Sequence, residues 1–188
     1  WLRRQLNDPF VKLARQEGFR SRAAFKILEI NDKFGIFKFG DTVVDLGAAP
    51  GSWAQVAVDK TNADKKVFGR KAGRVLGIDL KPVSPINGAE FHVFDFLEDE
   101  FSLRITDLLS TPADVIMSDM AANSTGHKKS DHLRIMALCE AAAYFSFDYL
   151  KPGGNFIAKV LTGGAEMSLQ KTLKSKFKKV INFKPKSS

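Results

Sequence analysis

Residues 42–53 read Thr42-Val-Val-Asp-Leu-Gly-Ala-Ala-Pro-Gly-Ser-Trp53. The first five have the apolar, β-branched character of a buried strand. Gly47 and Gly51 follow it in a tight turn, where the backbone can approach a ligand that a side chain would obstruct. A helix is predicted to begin near Trp53 and to run to about residue 60. This order is typical of the first unit of an α/β sheet that binds a nucleoside-like ligand.

The remainder of the chain continues the alternation of strands and helices. Further strands are predicted over 74–79, 90–94, 113–118, 155–160 and 179–183. Further helices are predicted over 8–17, 21–34, 101–109, 130–149 and 165–177, with Asp8 and Ser21 as caps of the first two. The pattern predicts an α/β fold, Rossmann-like, with a mostly parallel sheet and helices on both faces. Its 188 residues suit a single domain, with a basic helical segment over 1–35 and the α/β core over 40–184.

Acidic side chains stand where three of the predicted strands end. They are Asp79, Asp95 and Asp119. Open α/β sheets bind ligands beyond the carboxyl ends of their strands. Asp79 is suited to accept hydrogen bonds from ribose hydroxyls. Asp95, which lies between two phenylalanines, is suited to accept one from an adenine amine. Three carboxylates would repel a pyrophosphate, and G-x-G-x-x-G is absent, which disfavours a nucleotide-dependent oxidoreductase.

Charge is segregated along the chain. The net charge is +8, but residues 1–26 carry seven bases against two acids and residues 171–188 carry seven lysines and no acid. The intervening residues carry fifteen bases against nineteen acids. Two basic ends on a slightly acidic body indicate a polyanionic partner, with nucleic acid as the first candidate.

Four motifs together resemble one enzyme family. They are Asp45-Leu-Gly-Ala-Ala-Pro-Gly-Ser-Trp53, Arg20-Ser-Arg-Ala-Ala-Phe-Lys26, Ser118-Asp-Met-Ala121 and Lys151-Pro-Gly-Gly-Asn-Phe-Ile-Ala-Lys159. In this order they resemble the RrmJ/FtsJ ribose 2′-O-methyltransferases, and most closely the bacterial members that methylate a uridine of 23S ribosomal RNA. The resemblance covers nearly all of the chain. It implies S-adenosylmethionine (SAM) as cofactor and the large ribosomal subunit or its RNA as partner.

The resemblance also implies the site residues. The family's Lys-Asp-Lys-Glu tetrad matches Lys26, Asp119 and Lys159, which are therefore the predicted catalytic residues. The predicted cofactor contacts are Gly47, Gly51, Trp53, Asp79, Asp95 and Asp119. The tetrad glutamate has no counterpart. We expect it beyond Ser188, before a last antiparallel strand that this chain lacks and without which 179–183 has no proper neighbour.

Methyl transfer to a ribose needs a proton acceptor for the 2′-hydroxyl. Lys159, in the apolar run of the fifth predicted strand, is the expected base, with Asp119 orienting it and Lys26 fixing the hydroxyl or stabilising its developing charge. The candidates for contact with RNA phosphates are Arg3, Arg4, Lys12, Arg15, Arg20, Arg22, Lys171 and Lys174. A non-catalytic RNA-binding or ribosome-assembly factor that keeps the cofactor pocket remains an alternative, as does an enzyme acting on transfer RNA or another RNA.

Composition narrows the remaining possibilities. One cysteine, Cys139, excludes an internal disulfide and a multi-cysteine metal site, so we expect no metal. No apolar run approaches the roughly 18 residues of a membrane span, and the first residues lack a signal-peptide core. We therefore expect a cytoplasmic, monomeric protein without a membrane partner.

Overall fold

A computed structural model describes residues 8–65, 68–121, 126–160 and 166–188. The helices are α1 (Pro9–Gln16), α2 (Ala23–Phe34), α3 (Ser52–Thr61), α4 (Asp99–Leu109), α5 (Lys128–Tyr149) and α6 (Glu166–Lys176). The strands are β1 (Thr42–Leu46), β2 (Arg74–Asp79), β3 (Ala89–Val93), β4 (Ala113–Ser118) and β5 (Leu150–Ala158). The predicted α/β alternation is confirmed.

The strands form one sheet in the order β3-β2-β1-β4-β5, and every neighbouring pair is parallel. The central strand β1 places Val43 opposite Val75 of β2 and Val115 of β4. After β3 the chain crosses to the other side of β1, so the strand order reverses between β1 and β4. The carboxyl ends of these two strands form the switch point at which such sheets bind ligands.

Helices cover both faces of the sheet. Alternate residues of β1 face opposite sides, so Val43 packs with α2 and α3 while Val44 packs with α4 and α5. Every residue of β1 is buried. The strand is covered on both faces, which explains why its sequence is nearly continuously apolar rather than alternating.

The N-terminal caps are only partly as predicted. Asp8 caps α1, accepting a hydrogen bond of 2.9 Å from the N–H of Phe10, with proline at the start of the helix. For α2 the formal cap position is Arg22, whose side chain makes no capping hydrogen bond. The hydroxyl of Ser21, one residue earlier, accepts the N–H of Ala23 at 3.2 Å, so the predicted residue does supply a capping bond. It also bonds the hydroxyl of Ser52 at 2.6 Å and so links the starts of α2 and α3.

The prediction of a strand over 179–183 is wrong. These residues are described and have no strand conformation, since they do not join β5 or any other strand. The segment packs against α2, where the ring of Phe183 meets Phe34 edge-on at 5.5 Å and lies under the ammonium of Lys33. The following N–H groups of residues 186 and 187 donate to the Glu29 carboxylate at 2.7 and 3.0 Å. Phe183 is thus partly buried by packing on a helix without a ladder of backbone bonds, whereas Ile181 stays 46% exposed.

Candidate active site

Backbone hydrogen bonds continue past the ends of the strands and align the candidate site. The N–H of Gly47 donates to Ile78, and the N–H of Asp119 donates to Leu46. The N–H of Lys159 donates to the carbonyl of Ser118 at 2.9 Å. These bonds set the turn after β1 beside the first residues after β4 and β5. Three segments distant in sequence therefore meet at the carboxyl edge of the sheet.

A cavity of about 220 Å³ opens at this edge. Of the predicted cofactor contacts, it is lined by Gly47, Asp79, Asp95 and Asp119. Phe94 and Phe96, the rings on either side of Asp95, line it as well. The remaining lining residues are Leu46, Ala49, Ile78, Leu80, Lys81, Leu97, Met120, Ala121 and Leu138. Carboxylates around an apolar and aromatic wall fit a nucleoside that carries positive charge.

Gly47 is required for the shape of this cavity. Its φ of +77° lies in the left-handed region, and a Cβ placed on it would lie 2.8 Å from the main chain of Met120. Gly51, with φ of +107°, holds the position before α3, and a Cβ there would lie 2.7 Å from the guanidinium of Arg20. Both glycines permit close packing between loops of the protein. Gly51 does not line the cavity, and the predicted contact of either glycine with the cofactor stays a prediction.

The acids of the cavity are held by their own loops. Asp79 accepts the N–H of Ala49 at 2.9 Å through one oxygen and the N–H of Lys81 at 2.8 Å through the other. Asp95 accepts the N–H of Leu97 at 3.0 Å. Each carboxylate oxygen retains a second acceptor position, so both side chains can still bind a ligand while their rotamers are restrained.

Lys159 and Asp119 form an ion pair at the edge of the cavity. The Lys159 ammonium also donates to the main-chain carbonyl of Asp119 at 3.1 Å. Lys26, from α2, lies close enough for the charges of both residues to act on it. The predicted catalytic residues thus come together from α2 and from the positions directly after β4 and β5.

Burial lowers the pKa of the Lys26 amine from its ordinary value. The positive charges of Lys159 and Arg22 act in the same direction, whereas the carboxylate of Asp119 opposes the shift. A lysine in these surroundings gives up its proton more readily than a solvated one. Lys26 is therefore better suited than a surface lysine to bind a hydroxyl group or, in its neutral form, to accept the proton of that group.

Asp45 is a feature that the sequence analysis did not single out. It is the last but one residue of β1, it is fully buried, and neither carboxylate oxygen has a hydrogen bond of normal geometry within the described residues. Burial raises its pKa to about 8, with further contributions from the charges of Asp119 and Asp79; the N–H of Ala54 opposes the shift. The signal in the sequence was an acid within an otherwise apolar strand.

Trp53 does not line the cavity. It is buried between α2 and α3, where its indole N–H donates to the carbonyl of Ala23 at 2.9 Å. Its predicted contact with the cofactor therefore stays a prediction, and the structure assigns it a packing role. It joins the helix that carries Lys26 to the helix that follows the glycine-rich turn.

The arrangement matches a known family over most of the chain. The model of the FtsJ-like methyltransferase family covers residues 19–188. The chain belongs to the FtsJ-like methyltransferase family. Methyltransferases need a methyl donor, and the cavity beside the three clustered side chains is the candidate site for it.

Curated members of the FtsJ-like family resemble this chain over its full length. The protein named ribosomal RNA large subunit methyltransferase E of Ruegeria pomeroyi is 60% identical over all of this chain and 81% of its own length. Its namesake in Ruegeria sp. strain TM1040 is 59% identical over all of this chain and 79% of its own length. The crystal structure of a Plasmodium falciparum protein named as a ribosomal RNA methyltransferase has a TM-score of 0.79 and 31% identity. It covers 90% of this chain and 93% of that chain.

The basic residues predicted to contact RNA lie in different surroundings. Lys12, Arg15, Lys171 and Lys174 are exposed. Arg22 forms an ion pair with Asp8. Arg20 donates to three main-chain carbonyls, those of Pro50, Ser84 and Pro85, at 2.7–2.9 Å. Arg3 and Arg4 lie outside the described residues. Contact of these residues with RNA stays a prediction.

Two features are absent from the described part of the chain, a cluster of metal-ligating side chains and a membrane-spanning helix. No group of three or more His, Cys, Asp or Glu residues there could hold a metal ion. No helix within the same residues has the length and apolar character needed to cross a membrane.

Proposed function

We propose that this chain transfers a methyl group from SAM to a ribose 2′-hydroxyl of large-subunit ribosomal RNA, with a uridine of 23S RNA as the target. The observation that carries the proposal is the cluster of Lys26, Asp119 and Lys159 beside the acid-lined cavity. Membership of the FtsJ-like methyltransferase family supports methyl transfer, and the names of the curated relatives support ribosomal RNA as substrate.

The residues of the cavity fit SAM. Gly47 leaves the backbone bare at the turn, and the carboxylates of Asp79, Asp95 and Asp119 match ribose hydroxyls, an exocyclic amine and a cationic methyl-bearing centre. When bound, SAM supplies an electrophilic methyl group on a good leaving group. Phe94 and Phe96 provide ring surface beside Asp95 for a purine base.

The protein's own part in the reaction is alignment and proton removal. Asp119 holds the Lys159 ammonium through both its side chain and its carbonyl, which fixes the direction of that amine. Orientation of this kind is worth several kcal/mol, and a positioned base contributes roughly 10²- to 10⁴-fold. The Lys159 ammonium must first release a proton to solvent, and in that neutral amine form we propose Lys159 as the acceptor of the 2′-hydroxyl proton. The lowered pKa of Lys26 makes Lys26 the second candidate for this role.

The proposal is tested by transfer of labelled methyl from SAM to naked 23S RNA and to large subunits from cells that lack the enzyme. A 2′-O-methylated ribose resists alkaline cleavage at its own phosphodiester, so alkali and nuclease mapping identify both the position and the atom. Label on a single ribose 2′-oxygen is expected. Binding of SAM without transfer to either RNA would favour the alternative of a non-catalytic RNA-binding factor, or of another RNA substrate.

The catalytic roles are tested by variants at the two ends of β5. Lys159→Ala should lose methyl transfer by at least about 100-fold, while SAM binding stays within a few-fold. Lys151→Ala is the matched control, because Lys151 is also ion-paired, to Asp114 at 2.8 Å, but at the opposite end of the same strand. Its turnover at saturating RNA should be unchanged. Equal loss in both variants would mean that the effect is on folding.

Arginine variants separate the two candidate bases. Arginine keeps a positive charge but does not lose its proton in the working pH range. Lys159→Arg should therefore abolish turnover and Lys26→Arg should retain part of it, if Lys159 accepts the proton. The reverse pattern would assign proton transfer to Lys26.

A further inference from the structure

A second surface with the character of a nucleic-acid contact lies at the amino ends of the strands, whereas the cavity lies at their carboxyl ends. Thr42 of β1 stands opposite Arg74 of β2, so the segments that precede these two strands run side by side. The N–H of Arg74 donates to the carbonyl of Asp41 at 3.0 Å. The side chains that these segments expose define the amino-edge patch, which consists of Lys38, Phe39, Phe68, Arg70 and Lys71.

The aromatic rings of the amino-edge patch are open to solvent. Phe68 is completely exposed, and Phe39 is 41% exposed. The guanidinium of Arg70 lies 5.3 Å from the centre of the Phe39 ring, so one face of that ring carries a cation. An exposed aromatic ring on a loop gains no stabilisation from burial in the hydrophobic core, and its solvent-exposed faces are available to stack with a planar group.

The charges of the patch point outward and are positive. Between residues 60 and 71 the sequence has one acid, Asp64, against five bases. The acids beneath the patch are engaged: Asp41 accepts the N–H of Lys38 at 2.7 Å, and Asp114 accepts the N–H of Thr42 and the ammonium of Lys151. The surface that a partner meets therefore combines cations with open rings, which is the chemistry of a site for single-stranded nucleic acid.

We propose that the amino-edge patch is a second RNA contact, at which an unpaired base stacks on Phe68 while Arg70 and Lys71 bind the flanking phosphates. The inference rests on the proposed function in one respect, that RNA is the substrate. It adds a surface separated from the cavity by the length of β1, about 16 Å. RNA held there contributes to affinity and leaves the chemical step untouched.

Binding of RNA can be measured without turnover. The probe is a fluorescein-labelled, 12-nucleotide single-stranded RNA of mixed sequence, with the same sequence as a duplex for comparison. Phe68→Ala in the full chain should weaken single-strand binding at least about fivefold, the lower end of what one stacked base contributes. Leu103→Ala is the matched control, because Leu103 is an exposed apolar residue on α4, 73% accessible. Phe68→Tyr keeps a ring and should restore affinity, whereas Phe68→Leu should not.

Two further measurements identify the contact directly. Phe68→Trp should show fluorescence quenching when the single strand binds, and Leu103→Trp should not. Replacing Arg70 and Lys71 together by glutamine should reduce the salt slope of binding by about 1.4, as expected for two lost phosphate contacts on a single strand.

The outcomes separate this inference from the proposed function. Phe68→Ala should raise the KM for RNA and leave kcat and SAM binding unchanged. Unchanged RNA affinity in Phe68→Ala, together with no quenching in Phe68→Trp, overturns the second contact even where the parent chain methylates RNA normally. Absence of methyl transfer in the parent chain with the stacking effects intact overturns the proposed function alone. Equal weakening by Phe68→Ala and Phe68→Tyr, or equal effects on duplex and single strand, also contradicts base stacking.

Discussion

Replacing Asp45 by asparagine should remove a pH dependence from the stability of this protein. The folded carboxyl has a pKa of about 8, against an ordinary value of 3.8, because it is buried and lies near the charges of Asp119 and Asp79. A group whose pKa is raised on folding supports the folded state fully below its unfolded pKa. That contribution is lost as the pH rises towards the folded pKa. Asparagine has the shape of the protonated acid and does not titrate.

The size of this effect on the free energy of unfolding follows from the pH range between the unfolded and the folded pKa of Asp45. From pH 5 upward the unfolded carboxyl is ionised, while the folded one stays largely protonated until the pH nears 8, so each pH unit lowers the free energy of unfolding by up to about 1.4 kcal/mol. Over three units the loss from Asp45 comes to about 4 kcal/mol, a large share of the 5–15 kcal/mol typical of a folded domain. The Asp45→Asn protein should therefore gain in stability relative to the parent as the pH rises.

Urea unfolding followed by circular dichroism at pH 5, 6, 7 and 8 measures this difference. Other groups titrate in the same range, but they are common to both proteins and cancel in the difference between the two unfolding free energies. The difference should grow steadily with pH in favour of the variant. A difference that stays constant from pH 5 to pH 8 would refute the assignment of a protonated Asp45 to the folded state.

Two further substitutions test the loops of the cavity. Gly47→Ala should lower the melting temperature and abolish SAM binding, because its Cβ would meet the main chain of Met120 at 2.8 Å; calorimetry and titration measure both. Gly18→Ala is the matched control, with φ of +76° and open space around it, so it carries only the backbone cost of about 1–2 kcal/mol. Arg20→Ala should destabilise the protein by about 1–3 kcal/mol and weaken SAM binding, because three carbonyls lose their donor. An Arg20→Ala protein with parental stability but a smaller salt slope of RNA binding would instead assign Arg20 to phosphate contact.

Strong local patterns made most of the secondary structure predictable. The strands 42–46, 74–79 and 113–118 have their predicted bounds, since apolar runs with turn residues at both ends define buried strands. β5 begins at Leu150 rather than at 155, because the Pro-Gly-Gly segment after α5 joins the strand, with a φ of +81° at Gly153 and a register shift against β4. The prediction over 179–183 failed because a strand requires a neighbour, and neighbours depend on tertiary contacts.

The candidate site, too, was only partly predictable from the sequence. The motifs predicted the cavity acids together with Lys26, Asp119 and Lys159, because residue type and position within a motif are properties of the sequence. The placement of Trp53 in the core was not, since an indole beside a glycine-rich turn can face either way. The ion pair of Lys159 was not predictable from local sequence either, because its partner, the carboxylate of Asp119, lies forty residues earlier in the chain.

The sequence by itself determined the class of fold, the order of its elements, the family and the residue types at the site, because these depend on composition, period and motif. Tertiary structure alone decided which of these groups are buried and which charges lie next to one another. Burial and proximity produce the shifted pKa values of Asp45 and Lys26, the ion pair of Lys159 and the exposed rings of the amino-edge patch. Desolvation and Coulomb energies depend on distances through space, and distance along the chain does not specify them.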